Sequence, residues 1–365
     1  MPHNKGVAIE FKAAVKQIPV YPAAAGYAQT GPLVRLASNE SPYPPLPEVV
    51  AAASAALEGV NRYPDPASVK LRAALAGRYG VPAERIAVGN GSCDILLATG
   101  EALLEPGAEL VYAWPSFSVY PQLEAASGAR GIRVALDHDE CHDLDAMARE
   151  ITVATRLVIV CNPNNPTSTA IGLEAIAAFV AGVPASVCVM IDEAYCEFSL
   201  LDDPDASIDL LARHPNLVLL RTFSKVYGLC GLRVGYALCG SRDLPDALTA
   251  VRQPFFLNAA AQAAALEALA HQDEVARRVE RVAVARVQME EGLGELGLAP
   301  AVSQANFCWF ALGDERDEAA IVDSLAREGV LVRAGSALGR EGALRVTYGT
   351  PTENARFLEV LAKLL

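Results

Sequence analysis

The feature that most limits what this chain can fold into is a series of short, uninterrupted apolar runs. They are Ile86–Val88, Leu110–Trp114, Leu157–Cys161, Val187–Ile191, Leu217–Leu220 and Val234–Leu238. A strand wetted on one face alternates polar and apolar residues. These runs do not alternate, so they predict a sheet covered on both faces. The stretches between them fit helices, as in Val69–Tyr79, closed by Gly80, and Asp94 to Leu104, which follows Gly89-Asn-Gly-Ser92. Strand and helix in alternation predict an α/β fold with a mostly parallel sheet.

The flanks read differently. Prolines at 19, 22, 32, 42, 44, 45 and 47 predict an extended N-terminal arm, with residues 1–35 as the arm proper. From Ala259 to about Leu296 the chain reads as helix. Beyond it, strand-like Asn306–Phe310, Val330–Val332 and Leu344–Tyr348 alternate with helical runs, predicting a smaller α+β unit. The boundary falls near Arg252, giving a large domain over 36–252 and a small one over 253–365.

Composition excludes several function classes. With 365 residues, 52% hydrophobic and 20% charged, the chain can bury a sizeable core. A net charge of −13 leaves no basic footprint for nucleic acid and repels acidic membrane surfaces. The uncharged stretch Ala175–Ile191 is broken by Gly182-Val-Pro184, which suits a helix and a buried strand better than a membrane span. Eight cysteines contain no Cys-x-x-Cys pair and predict reduced thiols. No apolar signal core follows Met1, so the expected compartment is the cytoplasm. His138-Asp-Glu-Cys141-His142 holds metal-ligating residue types but no matching second group, and reads as a solvated loop with no metal.

Ligands of open α/β sheets bind outside the carboxyl ends of the strands, and three of the runs end there in polar residues. Val187–Ile191 leads into Asp192-Glu-Ala-Tyr195. A carboxylate at a buried strand end needs a cationic partner such as a protonated pyridine nitrogen, or else it caps a helix. Leu217–Leu220 leads into Arg221-Thr-Phe-Ser-Lys225. Partial burial makes a lysine amine nucleophilic toward aldehydes, although alone Lys225 reads as a surface lysine. Leu157–Cys161 leads into Asn162-Pro-Asn-Asn-Pro-Thr, which alone is a turn. Thr222 and Ser224 offer hydroxyls, and Arg233 a cation, to a phosphate. Gly89-Asn-Gly-Ser92-Cys93, before a helix, is either an ordinary turn or a second phosphate grip.

Taken in order, Asn-Pro-Thr, Asp-x-x-Tyr, Ser-Lys and Gly-Leu-Arg resemble the fold-type I pyridoxal-phosphate (PLP) aminotransferases. The resemblance is nearest the histidinol-phosphate aminotransferase group and runs from Leu36-Ala-Ser-Asn-Glu-Ser-Pro to Thr352-Glu-Asn-Ala-Arg-Phe-Leu. It implies a seven-stranded-type sheet in the large domain and PLP as cofactor. By the same resemblance Lys225 forms the Schiff base and Asp192 pairs with the pyridine nitrogen. Tyr195 and Asn165 donate to the ring's phenolic oxygen, and Phe117 stacks on the ring. Ser92, Cys93, Thr222, Ser224 and Arg233 hold the phosphate. Tyr63 reaches the phosphate of a partner subunit, which implies a homodimer with shared active sites. Arg345 binds the substrate carboxylate as a two-pronged fork, with Arg333 as a second substrate-facing arginine. Tyr21 covers the substrate side chain.

Three positions depart from the family pattern: Ser168 after Asn-Pro-Thr, Cys93 after the loop serine, and Pro44 in the Asn-x-Pro-Tyr segment. Asn162-Pro-Asn-Asn-Pro-Thr-Ser-Thr with Ser303-Gln-Ala-Asn-Phe-Cys-Trp resembles the actinobacterial aromatic, phenylalanine-type aminotransferases. The expected function is therefore transfer of an aromatic amino group to 2-oxoglutarate in a ping-pong cycle. The alternatives are a histidinol-phosphate aminotransferase and, further off, a PLP-dependent decarboxylase or a PLP-binding regulator.

Overall fold

The computed structural model of the protein describes residues 32–365. Its strands are β1 (Val34–Arg35), β2 (Ile86–Gly89), β3 (Glu109–Trp114), β4 (Arg130–Ala135), β5 (Thr155–Cys161) and β6 (Cys188–Asp192). They continue with β7 (Leu217–Thr222), β8 (Gly235–Cys239), β9 (Phe307–Ala311), β10 (Val330–Leu331), β11 (Arg333–Ala334) and β12 (Ala343–Thr347). Seven of them form one sheet in the order β2-β8-β7-β6-β5-β3-β4. The pairs from β7 through β4 are parallel, and β8 alone runs against both of its neighbours.

Apolar runs become central strands here because helices cover both faces. β7 and β8 are buried along their whole length, and β5 is buried except at Arg156. One large cluster and a second smaller one share the sheet's two faces: Val158, Val189 and Leu219 belong to the first, Ile159, Met190 and Leu220 to the second. Alternate residues of the same strands thus feed opposite layers.

A three-stranded antiparallel sheet, β11-β12-β9, stands apart from the large one, and β1 pairs in parallel with β10. The predicted strand Val330–Val332 is in fact two: Val330 and Leu331 pair with β1, after which Arg333 and Ala334 pair with β12. The chain crosses between sheets at Val332.

Other sequence expectations also change. The run Ala259–Leu296 is two helices, Ala259–Leu269 and Gln272–Glu295. His271 leaves helical geometry, and the acidic Asp273 and Glu274 suit a new N-terminus. Proline-rich sequence did not prevent a helix over Pro47–Leu57, because proline is tolerated in a first helical turn. β4 lacked an apolar signature because it is an edge strand: of its residues only Val134 is buried, and Arg133 bonds the Tyr112 hydroxyl and pairs with Glu124. Among the described residues no helix is long and apolar enough to cross a membrane.

Candidate active site

The carboxyl ends of β5, β6 and β7 open onto a cavity of about 580 Å³, a volume suited to a small molecule. Asn165, Asp192, Tyr195, Thr222, Ser224, Lys225, Arg233 and Arg345 all line it, as do Ser92, Cys93 and Phe117. β12 of the small sheet contributes Arg345, so the cavity is built from both sheets.

Asp192 ends β6 and is buried. Its Oδ2 accepts from Tyr120 Oη at 2.8 Å, and its Oδ1 from the Ala194 amide at 3.3 Å. Burial pushes its carboxyl up to about 6 against the pull of that hydroxyl. Tyr120 starts the helix Tyr120–Ser127 and stands edge-on to Phe117, ring centroids 5.7 Å apart. Lys225 is half-buried at the cavity wall. Desolvation, then Arg345, lower its amine to about 8, and Nζ donates to the Asn39 carbonyl at 3.1 Å.

Arg345 Nη1 donates to Asn165 Oδ1 at 2.6 Å and Nη2 to the Ala37 carbonyl at 2.6 Å. Tyr195 Oη accepts from Asn39 Nδ2 at 3.0 Å. Burial raises the Tyr195 phenol above its ordinary value, opposed by Arg345 and Asn39. The segment after β1 therefore sends successive carbonyls to functional groups: Ala37 to Arg345, Ser38 and Asn39 to Lys225.

Across the cavity, Ser92 and Cys93 open the helix Ser92–Leu103, whose first amides lack helical partners. Thr222 Oγ1 lies 2.9 Å from Ser224 Oγ. Arg233 Nη1 donates to the Cys230 carbonyl at 2.9 Å. Backbone crowds this corner. A Cβ on Gly235 would lie 2.5 Å from the Ser92 nitrogen, and one on Gly91, whose φ is +83°, would lie 2.5 Å from Arg233 Nη2. Only glycine permits packing this close.

Some expected residues lie elsewhere. Arg333 pairs in register with Arg345 and is buried, but does not line the cavity. Tyr63 is 80% exposed, stacked on Phe255 with centroids 4.4 Å apart, and outside this chain's cavity. Tyr21 lies outside the described residues. His142, expected in a solvated loop, is buried: Nε2 meets Asn164 Oδ1 at 3.0 Å, and burial lowers its ring to about 4. The loop folds inward because Thr167 and Thr169 both donate to the Glu140 carbonyl. Sequence reasoning did not single out Asn39, Tyr120, Glu40, Cys230 or Leu338. Asn39 and Glu40 had a signal, inside the Leu36–Pro42 motif.

These residues fit PLP. A buried carboxylate suits a cation, an amine of lowered basicity lines the same cavity, and the start of the Ser92–Leu103 helix and Arg233 face it too.

Comparison with known proteins agrees. The family model for aminotransferase class I and II matches residues 31–361. The chain is 40% identical over 349 residues to an aromatic amino acid aminotransferase of Cutibacterium acnes, covering 96% of this chain and 97% of that protein. It is 44% identical over 334 residues to histidinol-phosphate aminotransferase 1 of Cupriavidus pinatubonensis, covering 91% of this chain and 88% of that one. The fold superposes with a TM-score of 0.89 and 28% identity on the histidinol-phosphate aminotransferase of Sinorhizobium meliloti, solved with pyridoxal-5'-phosphate, covering 99% of this chain and 100% of that one. With fold, cavity and kinship in accord, the chain belongs to the class I and II aminotransferases, PLP-dependent enzymes, within the group that joins histidinol-phosphate and aromatic amino acid aminotransferases.

Proposed function

We propose that the chain moves the amino group of an aromatic amino acid, phenylalanine or tyrosine, to 2-oxoglutarate in a ping-pong cycle. The observation that carries the donor class is the cavity wall around Arg345. Leu338, Leu97, Phe117 and Val119 line the same cavity, and among the described residues its only cations are Lys225, Arg233 and Arg345. With Lys225 and Arg233 taken up by the cofactor, Arg345 serves the donor's own anionic group. A carboxylate pairs bidentately with a guanidinium, so Arg345 orients the donor while the apolar wall takes an aromatic ring.

When bound, PLP supplies an aldehyde that bonds amines and a ring that draws electron density from the donor's Cα. Asp192 holds the ring nitrogen's proton. Tyr195 and Asn165 donate to the ring oxygen, and Phe117 packs against the ring. Ser92, Cys93, Thr222, Ser224 and Arg233 take the phosphate. Lys225 Nζ holds the cofactor between turnovers. Released by the donor amine, it would move the proton from the donor's Cα to the cofactor's aldehyde carbon, and in the second half-reaction carry one back from that carbon to the Cα of the product amino acid. Its lowered basicity keeps a usable fraction unprotonated near neutral pH.

We also read the chain as a homodimer with shared sites. Tyr63 is exposed beside Phe255, with Leu57 and Val60 exposed nearby in sequence, a set that a second copy would cover. Free cysteines throughout suit a reducing compartment, the cytoplasm. A histidinol-phosphate donor is the second reading, since relatives of both names match this chain at similar identity. The test is a donor panel of phenylalanine, tyrosine and histidinol phosphate with 2-oxoglutarate. Higher kcat/KM for histidinol phosphate than for phenylalanine overturns the first reading.

A further inference from the structure

We infer that Asn39 is a positioning residue that sets which way the Tyr195 hydroxyl proton points. The inference rests on the reading of Tyr195 as a donor to the bound cofactor.

Asn39 is 1% exposed and holds a left-handed φ of +52°, a conformation asparagine tolerates better than most residues. Its amide N–H donates to Thr347 Oγ1 at 2.9 Å. That bond occupies a lone pair of Thr347 and leaves the hydroxyl proton to be donated back to Asn39 Oδ1, at 3.2 Å. The reciprocal pair fixes the side-chain amide. Oδ1 faces Thr347, so Nδ2 faces Tyr195 and donates to Oη at 3.0 Å.

The consequence for Tyr195 is directional. Its oxygen accepts from Asn39, so its own proton cannot lie along that line and turns toward the cavity that Tyr195 lines. The phenol is buried and resists ionisation, which keeps it a donor. The same residue also bears on the amine: the Asn39 carbonyl accepts from Lys225 Nζ at 3.1 Å and from Asn306 Nδ2 at 3.3 Å. One left-handed residue thereby orients the phenol with its side chain and the lysine with its backbone. Thr347, on β12 of the small sheet, sets the orientation from a distance.

A donor to the cofactor's ring oxygen lowers the basicity of the nitrogen that Lys225 contributes, so losing that donor raises it. The readout is the pH midpoint of the near-visible absorbance of the PLP-loaded protein, with kcat and KM alongside. Asn39→Gly keeps the backbone conformation and carbonyl but removes the amide. Its midpoint rises by about one pH unit, a tenfold change in proton affinity. Asn39→Asp presents an acceptor where the donor stood and captures the Tyr195 proton. Its midpoint rises further, and kcat falls about a hundredfold while KM for the amino donor changes less than about threefold. Thr347→Val frees the amide to rotate and moves the midpoint the same way; Thr347→Ser, which keeps the hydroxyl, moves it less than half as far.

If all four midpoints lie within about 0.2 pH unit of wild type while melting temperatures fall, Asn39 only supports the fold and the inference is overturned. Tyr195→Phe separates this from failure of the underlying reading. A Tyr195→Phe midpoint about one pH unit or more above wild type leaves that reading standing whatever Asn39 does, and an unmoved one overturns it together with the inference. A wild type that takes up no PLP overturns both.

Discussion

Asp192 is held in a state that suits the role proposed for it and opposes folding, and the cofactor-free protein exposes that conflict. The carboxyl is 3% exposed, accepts from Tyr120 and Ala194, and has its ordinary value of 3.8 raised by burial to about 6. Because the folded value lies above the unfolded one, the group's contribution to stability is fully present below about pH 4. It declines between the two values and is gone above about 6. A tenfold change in proton affinity is worth about 1.4 kcal/mol, so the ionised carboxylate costs the cofactor-free fold about 3 kcal/mol at pH 8. Asp192→Asn keeps an acceptor for Tyr120 Oη and removes the charge. The expected outcome is a cofactor-free variant more stable than wild type at pH 8 by about 2–3 kcal/mol, with the difference vanishing near pH 4. Urea unfolding of both proteins across that range, without PLP, measures it. Turnover of the same variant falls steeply once PLP is added. A variant less stable than wild type at pH 8, or an advantage that does not shrink toward pH 4, refutes the reasoning.

Lys225→Ala should abolish turnover and the pH-dependent shift of the near-visible band; normal turnover would remove Lys225 from the mechanism. Because the Lys225 amine titrates near 8, PLP uptake by the cofactor-free protein should accelerate as pH rises through that value. A stopped-flow series from pH 6 to 9 that shows no such rise contradicts the assignment. Gly235→Ala forces a methyl to within 2.5 Å of the Ser92 nitrogen, so PLP affinity should drop about tenfold or more, read by equilibrium dialysis. Arg345→Lys should raise KM for carboxylate-bearing donors far more than it lowers PLP affinity. Mixing Lys225→Ala with Tyr63→Phe subunits should restore partial PLP-dependent activity if the sites are shared between two chains.

The central strands were legible because burial on both faces leaves uninterrupted apolar runs, as in Leu157–Cys161 and Leu217–Leu220. Edge strand β4 was not, since its outward side carries arginines that obey no period. Side chains at strand ends were legible too: Asp192, Lys225 and Asn165 need only their strands in place to converge. Tyr120 was invisible because its hydroxyl reaches Asp192 across 72 positions, and nothing local marks it. Arg221 stands in the motif ahead of Lys225, yet nothing beside it in sequence marks its partners. It is 1% exposed, bonds Glu193 at 2.8 Å and Asp205 at 2.7 Å, and so ties β7 to the segment that connects β6 with it. Such long-range partners emerge only once the chain is folded. The two cations Lys225 and Arg233 read as one motif for a different reason, which lies in strand direction.

β8 runs against β7, and Thr222 faces Gly235 across the pair. The loop from Phe223 to Val234 therefore leaves and re-enters the sheet at the same rung. The strands would tolerate extra residues there, since a longer loop closes at little entropic cost. The roles proposed for the site would not, because added length would displace Lys225 relative to Arg233 and separate the amine from the proposed phosphate grip. Loop length between those two residues is thus a ruler for the proposed function.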